Sequence, residues 1–325
     1  MRTSVPKVRL CVLVYLLTFF SLQSKAQSIS SPDGRLEIGI NIGPSFFLGD
    51  LGGIRGEGKT FVKDVNFPFT KLMKGLYVNL YPAEWIGLRV AVNMGQLEAH
   101  DSVIKDKGGE EIERKERNLG FRSKLFEAYG AIEFYPTVFF EGYDGLFHKL
   151  RPYGIIGFGM FHFNPEGQYI HPNGRREWVE LKPLRLEGQG MAEYPDRKEY
   201  KLWQQEIPMG FGAKYYIKEN MYIGLEILHR KTFTDYIDDV STTYIQPALF
   251  NVYLTPTQAA MASQLMYREN FYNPSVSRPY IDKQRGDPTE NDAFFTGMLR
   301  FGWRINGSDS PNARARKQLR CPVFY

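Results

Sequence analysis

The chain has 325 residues, with 41 Lys and Arg against 36 Asp and Glu, a formal net charge of +5. Four of those cations, Arg2, Lys7, Arg9 and Lys25, fall in the first 26 residues beside no acid, which leaves 5 − 4 = +1 for the remainder. A near-neutral body without a basic stripe excludes a nucleic-acid footprint, and no apolar run after residue 26 is long enough for a spanning helix.

The first segment reads as a secretory signal peptide over 1–26. Arg2, Lys7 and Arg9 form a basic start, Leu10 to Leu22 an apolar stretch, and Ser24-Lys25-Ala26 offers small residues at the two positions a signal peptidase reads. Gln27 is then the expected mature N-terminus. Cys11 lies inside the apolar stretch with no small-residue lipobox before it, so a lipoprotein is not expected. Removal of the signal leaves Cys321 alone, so no intrachain disulfide can form; in an oxidising compartment it is either free or bonded to a partner.

Aromatic residues make up 15% of the chain, yet its mean hydropathy is −0.36. A membrane β-barrel reconciles the two, because only alternate residues of each strand face lipid. The first strand signal is Leu36 to Gly43, where every even position is aliphatic and every odd one polar or glycine. A weaker segment follows at 72–81. Ile86 to Met94 again carries its apolar residues at even positions. Weaker segments lie at 124–135 and 152–163, the second apolar on both faces and therefore of uncertain register. Ile207, Met209, Phe211, Ala213 and Tyr215 alternate with Pro208, Gly210, Gly212 and Lys214. A weaker segment at 221–231 and a clear one at Phe295 to Ile305, odd positions outward, complete the set. Each is about the ten residues that a tilted membrane strand needs.

Connections alternate in length. Long polar segments at about 48–71, 95–123, 164–203 and 232–292 contrast with Pro82-Ala83-Glu84-Trp85, Lys218-Glu219-Asn220 and an intermediate 136–151. Short periplasmic turns and long outer loops are the rule in bacterial barrels. The expected fold is all-β: an eight-stranded antiparallel up-and-down transmembrane β-barrel over 27–305, both ends periplasmic. Tyr81, Trp85, Tyr135, Tyr215, Tyr216, Tyr222 and Trp303, near strand ends, are expected to form an aromatic girdle. A soluble β-sandwich or lipocalin-like barrel also alternates. The signal, the aromatic strand ends and the loop rhythm argue against it. Residues 306–325 form a basic tail, Arg314, Arg316, Lys317 and Arg320 against Asp309, ending in the apolar Cys321-Pro322-Val323-Phe324-Tyr325.

Catalytic signals are weak. Gly53 to Thr60 matches the P-loop pattern letter for letter, but the preceding strand alternates and Phe61 to Pro68 is not helical in pattern, so a glycine-rich outer loop is expected. Asp235, Asp238 and Asp239 could hold calcium; a solvated acidic loop, or pairing with Arg230 and Lys231, fits the spacing better. His100, His148, His162, His171 and His229 show no ligand spacing, and no G-x-S-x-G elbow is present. No enzyme and no cofactor are expected. Arg89, Glu127, Glu133, Glu206, Lys214, Glu226, Arg300 and Arg304 fall on the polar faces of their strands. Eight strands leave a lumen just wide enough for side chains, and buried charges must pair. A plug of salt bridges without an open pore is expected.

Leu181 to Gly190, Tyr194 to Tyr200, Ile207 to Gly212, Arg230 to Ser241, Glu37-Ile38-Gly39, Gly49-Asp50-Leu51 and Cys321-Pro322-Val323-Phe324 together resemble the PorG-like outer-membrane barrel of the type IX (Por/gliding) secretion system. The resemblance spans nearly the whole mature chain, and the Arg230 to Tyr236 block is its most specific part. Tyr325 extends past the expected Cys-Pro-x-Phe ending, and the loop at about 242–291 looks variable. The resemblance implies a non-enzymatic anchor in outer-membrane lipid for a periplasmic ring of a lipoprotein and its partner, part of a protein-export machine linked to gliding motility. The tail residues Arg314, Arg316, Lys317, Arg320, Cys321, Pro322 and Phe324 are then candidate partner contacts, and Cys321 a candidate for an intermolecular disulfide with a ring component. The competing expectation is a surface barrel, an adhesin or nutrient receptor, binding through its long loops.

Overall fold

The computed structural model describes residues 36–52, 69–104, 111–139, 149–218, 220–272 and 280–305. The signal segment 1–26, the glycine-rich 53–60 and the tail with Arg314, Arg316, Lys317, Arg320, Cys321, Pro322 and Phe324 lie outside them.

Eight long strands form the wall: β1 (Leu36–Leu48), β2 (Lys71–Ala83), β3 (Ile86–His100), β4 (Gly120–Phe134), β5 (Leu150–Ile170), β7 (Trp203–Lys218), β8 (Met221–Thr232) and β9 (Ala293–Ile305). All neighbours pair antiparallel. The β4–β5 and β1–β9 pairings close the ring, so no long edge is left open. A ninth strand, β6 (Arg176–Glu180), pairs with the far end of β5. Among the described residues, β3 follows β2 after only Glu84–Trp85, and β8 begins at Met221, close behind the end of β7 at Lys218. Leu36 pairs with Ile305, so the barrel begins and ends on that same short-turn side.

All eight expected strands are present, and most are longer than expected. A membrane needs about 9 to 11 residues per strand; β3 and β4 have 15 and β5 has 21. In β3 and β4 the extra length lies at the long-loop end, as does most of it in β5, so the loops there start later than the sequence suggested. The outward face follows the expected parity. Val90 and Leu76 are 64% exposed and Leu225 68%, with Ile38, Ile40, Leu88, Ile132, Phe158, Phe211 and Phe301 on the same belt. In water such a surface would be far larger than soluble proteins leave open. In hydrocarbon it is the natural wall, because every backbone polar group is satisfied between strands.

The register of β5 is settled: Tyr153, Ile155, Phe161 and Phe163 point inward, and Ile156, Phe158 and Met160 outward. The expected aromatic girdle needs correction. Trp303 and Tyr215 face outward, and Trp85 lies with Phe134 and Phe139 at the short-turn end. Tyr81, Tyr135 and Tyr222 instead turn inward and are buried, with Tyr216 half-buried beside Tyr222. Their hydroxyls find acceptors in the lumen, which decides the side on which they lie.

Candidate functional site

The lumen is filled tier upon tier. At the short-turn end, Lys214 donates to Glu37 at 3.0 Å and approaches Glu133 at 3.3 Å. Tyr81 and Tyr216 donate to Glu37 at 2.7 and 2.9 Å, and Arg304 reaches it at 3.2 Å. Asn79 donates to Glu133 at 3.0 Å, and Tyr135 also hydrogen-bonds Glu133. One level up, Arg89 joins two acids from opposite walls: its Nε donates to Glu133 at 2.7 Å and its Nη1 lies 2.7 Å from Glu226. Arg300 lies 3.2 Å from Glu226 and stacks on Tyr77 at 3.9 Å. Tyr153 donates to Glu226 at 2.6 Å. Higher still, Arg230 pairs with Glu127 at 2.6 Å.

The acids Glu37, Glu127, Glu133, Glu206 and Glu226 are thus set against Arg89, Lys214, Arg230, Arg300 and the half-buried Arg304. All eight interior charges singled out in the sequence lie in this lumen. Glu206 is buried beside the Glu127–Arg230 pair. Sequence reasoning missed Glu37 and Arg230. Strand parity could have found both: Glu37 is odd on β1 like Asn41, and Arg230 is even on β8 like Glu226.

Glycine makes room for this packing. Gly39 pairs with Tyr77 across β1–β2, and a Cβ on it would fall 2.2 Å from the Tyr77 hydroxyl. Gly302 bears the same relation to Tyr222 across β8–β9. Gly39 and Gly302 are themselves cross-strand partners on β1 and β9, and the two rings fold over this pair and meet hydroxyl to hydroxyl at 2.8 Å. Side chains from β2 and β8 therefore meet over the β1–β9 seam and line that wall of the lumen.

Towards the long loops the inward face becomes apolar. Phe47, Met73, Leu97, Phe121, Phe161, Phe163, Phe294 and Met298 are buried there and run without a break into loop residues Leu181, Leu184, Leu186, Ile237, Val240, Ile245, Phe250 and Leu265. The long polar segments form a folded cap with a core continuous with the upper lumen, and the helix Pro256–Met266, capped by Thr255 and Gln258, packs into it.

Three side chains clamp the cap. Glu187 accepts from Ser241 and Thr242 backbone N–H at 2.9 Å each, from Thr242 Oγ1 at 2.8 Å and from Arg285 at 2.8 Å. Arg117 binds Asp101 at 2.9 Å, donates to the Asp50 carbonyl at 2.7 Å and also holds the Arg285 carbonyl. Arg285 completes the set by donating to the Asp239 carbonyl as well. Segments 49–51, 181–190, 194–200 and 230–241, singled out in the sequence, converge here. Leu51 N–H donates to Asp238 at 3.2 Å, Tyr200 to Asp239 at 2.8 Å, and Arg197 to the Glu187 carbonyl at 2.8 Å.

The acidic cluster is not the solvated loop that was expected, nor do Arg230 and Lys231 pair with it. Asp235, Asp238 and Asp239 are buried, because the cap closes over them. Arg230 is committed to Glu127, and Lys231 points outward from β8. Burial pushes the Asp50 carboxyl up to about 6, Asp239 to about 7 and Asp235 to about 8, with nearby acids adding to each shift. Asp238 and Asp292 are raised by the same cause. Both Asp238 oxygens already accept backbone N–H groups, from Leu51 and Val240. Among the described residues no group of three or more His, Cys, Asp or Glu is arranged to hold a metal ion.

No protein-family model and no curated protein matches the chain. Solved structures give similar folds. Ail, the attachment invasion locus protein of Yersinia pestis, is 10% identical, with 83% of this chain and 99% of that one covered and a TM-score of 0.33. The outer membrane protein OprG of Pseudomonas aeruginosa is 11% identical, with 85% and 98% covered and a TM-score of 0.34. The outer membrane protein AlkL is 9% identical, with 87% and 96% covered and a TM-score of 0.30. The membrane-barrel fold rests, independently of these, on ring closure and the outward apolar belt.

Proposed function

We propose that this chain is a non-enzymatic outer-membrane anchor for the periplasmic ring of a type IX secretion machine, the role implied by its resemblance to PorG-like barrels. The observation that carries the reading is the filled lumen. A barrel crossed by the Arg89–Glu226 bridge, with Arg300, Tyr77 and Tyr222 packed beside it, and closed above by a packed cap offers no path for cargo, so its use lies in what it holds. In this reading the long loops face outward and the short turns face the periplasm. The tail 306–325 then hangs beside the ring lipoprotein and its partner, with Arg314, Arg316, Lys317 and Arg320 for acidic surface and Pro322 and Phe324 for an apolar pocket.

Truncation after Ile305 tests the proposal. The expected result is a barrel that still inserts, shown by its shift on unboiled gels, while secretion fails and the ring no longer co-purifies. Normal secretion with an intact ring would refute it. For Cys321, the expected result on a non-reducing gel is a higher band that Cys321→Ser abolishes.

A further inference from the structure

One lysine stands where lipid should be. Lys74 is exposed on the outer face of β2, between the lipid-facing Leu72 and Leu76 on its own strand and in register with Ile42 on β1 and Met94 on β3. Leu72, one pleat nearer the loops, is still 59% exposed, so the lysine backbone lies inside the apolar belt. An ammonium there must snorkel towards the headgroups and is costly unless it finds an anion. Lys124 is the second exposed lysine of this wall. Its neighbour Phe126 is level with Met94, which is level with Lys74. Two strand spacings and two residues along the strand put the two Cα atoms about 12 Å apart.

The charges around them are already paired. Lys71 holds Glu98 at 2.8 Å, and Arg122 holds Glu166 at 2.6 Å while lying over Trp178 at 4.2 Å. Lys74 and Lys124 have no acidic partner among the described residues. Gln96 flanks Lys124 on β3 as a neutral neighbour, while Asn164 on β5 donates to Glu180 at 2.9 Å.

We infer that the outer face of β2–β3–β4 is a binding site for a phosphorylated glycolipid of the outer leaflet, with Lys74 and Lys124 gripping its phosphates while Leu72, Leu76, Met94 and Phe126 meet its acyl chains. The inference rests on the outward placement of the loops in the proposed function.

The test uses the folded barrel in detergent, titrated with bisphosphorylated lipid A and read by native mass spectrometry. One lipid should bind, and Lys74→Gln with Lys124→Gln should weaken it about tenfold or more. Arginine at both positions should retain binding, as should Lys218→Gln at the short-turn end. Dephosphorylated lipid A should bind the wild type at least tenfold more weakly, and millimolar inorganic phosphate should not displace the lipid. Equal binding by the double glutamine variant, equal binding of the dephosphorylated lipid, or displacement by free phosphate would overturn the site. A chain that gives no folded form on unboiled gels in any micelle or bilayer would overturn the membrane reading beneath it as well.

Discussion

Replacing Arg89 by methionine removes the cation that joins two walls of the lumen. Its guanidinium serves Glu133 at 2.7 Å and Glu226 at 2.7 Å, and it is 1% exposed. The variant leaves two buried carboxylates with Lys214 and Arg300, the first 3.3 Å from Glu133 and the second 3.2 Å from Glu226 and already shared with Tyr153. Removing one partner of a buried pair costs about 3–5 kcal/mol, whereas the same pair in water contributes about 0–1 kcal/mol. The gap separates a dry plug from a wet channel. Urea unfolding of the barrel refolded into lipid vesicles measures it. A loss of about 3 kcal/mol or more is expected, and Arg89→Met with Glu226→Gln should fall short of the summed single losses by at least about 1 kcal/mol. A loss under about 1 kcal/mol, with additive singles, would mean that water solvates these charges and that the lumen is open.

Gly39→Val drives a side chain into Tyr77 and the Phe301 carbonyl and should destabilise the barrel by about 1–3 kcal/mol, read as a lower urea midpoint. Glu187→Ala removes four hydrogen bonds that tie two loops together; protease should then cut the cap within 181–202 or 240–286 while the unboiled gel shift persists. The cap should also tighten in acid. The carboxyls of Asp50, Asp239 and Asp235 stand at about 6, 7 and 8 when folded, above the ordinary Asp range, so the folded cap binds more protons than the open one. Its stability therefore rises as pH falls from about 8 towards 4. Protection factors of the amides in 235–241, that is, exchange corrected for its intrinsic base catalysis, should be higher at pH 5.5 than at pH 8.5, and the opposite order would contradict the burial. Asp239 has a φ of +64°, which asparagine also tolerates. Asp239→Asn should flatten part of that pH dependence.

The membrane wall was legible because lipid imposes one rule on every strand. Ile38, Ile40 and Ile42 or Leu88, Val90 and Val92 show it without any knowledge of the neighbours. The rule fails above the bilayer. Phe161 and Phe163 point inward to the cap core while Phe158 and Met160 point to lipid, so β5 is apolar on both faces and its parity is hidden. Tyr81 and Tyr135 misled for a related reason. A tyrosine near a strand end suits an interfacial girdle as well as a lumen, and only the acceptors on Glu37 and Glu133 decide between them. The cap was illegible in the loops because its contacts are long in sequence. Glu187 and Ser241 lie 54 residues apart, and nothing local to either segment announces the other.

The claim that ties these observations together is that the barrel spans the membrane yet is shut. Planar-bilayer recording of the purified wild-type protein, with insertion verified by protease protection of the strands, tests it directly. The inserted protein should pass no steady current at any moderate voltage. Stable, voltage-independent conductance steps that scale with the amount inserted would show a continuous water path past Arg89 and Tyr77, and the anchor reading would lose its basis.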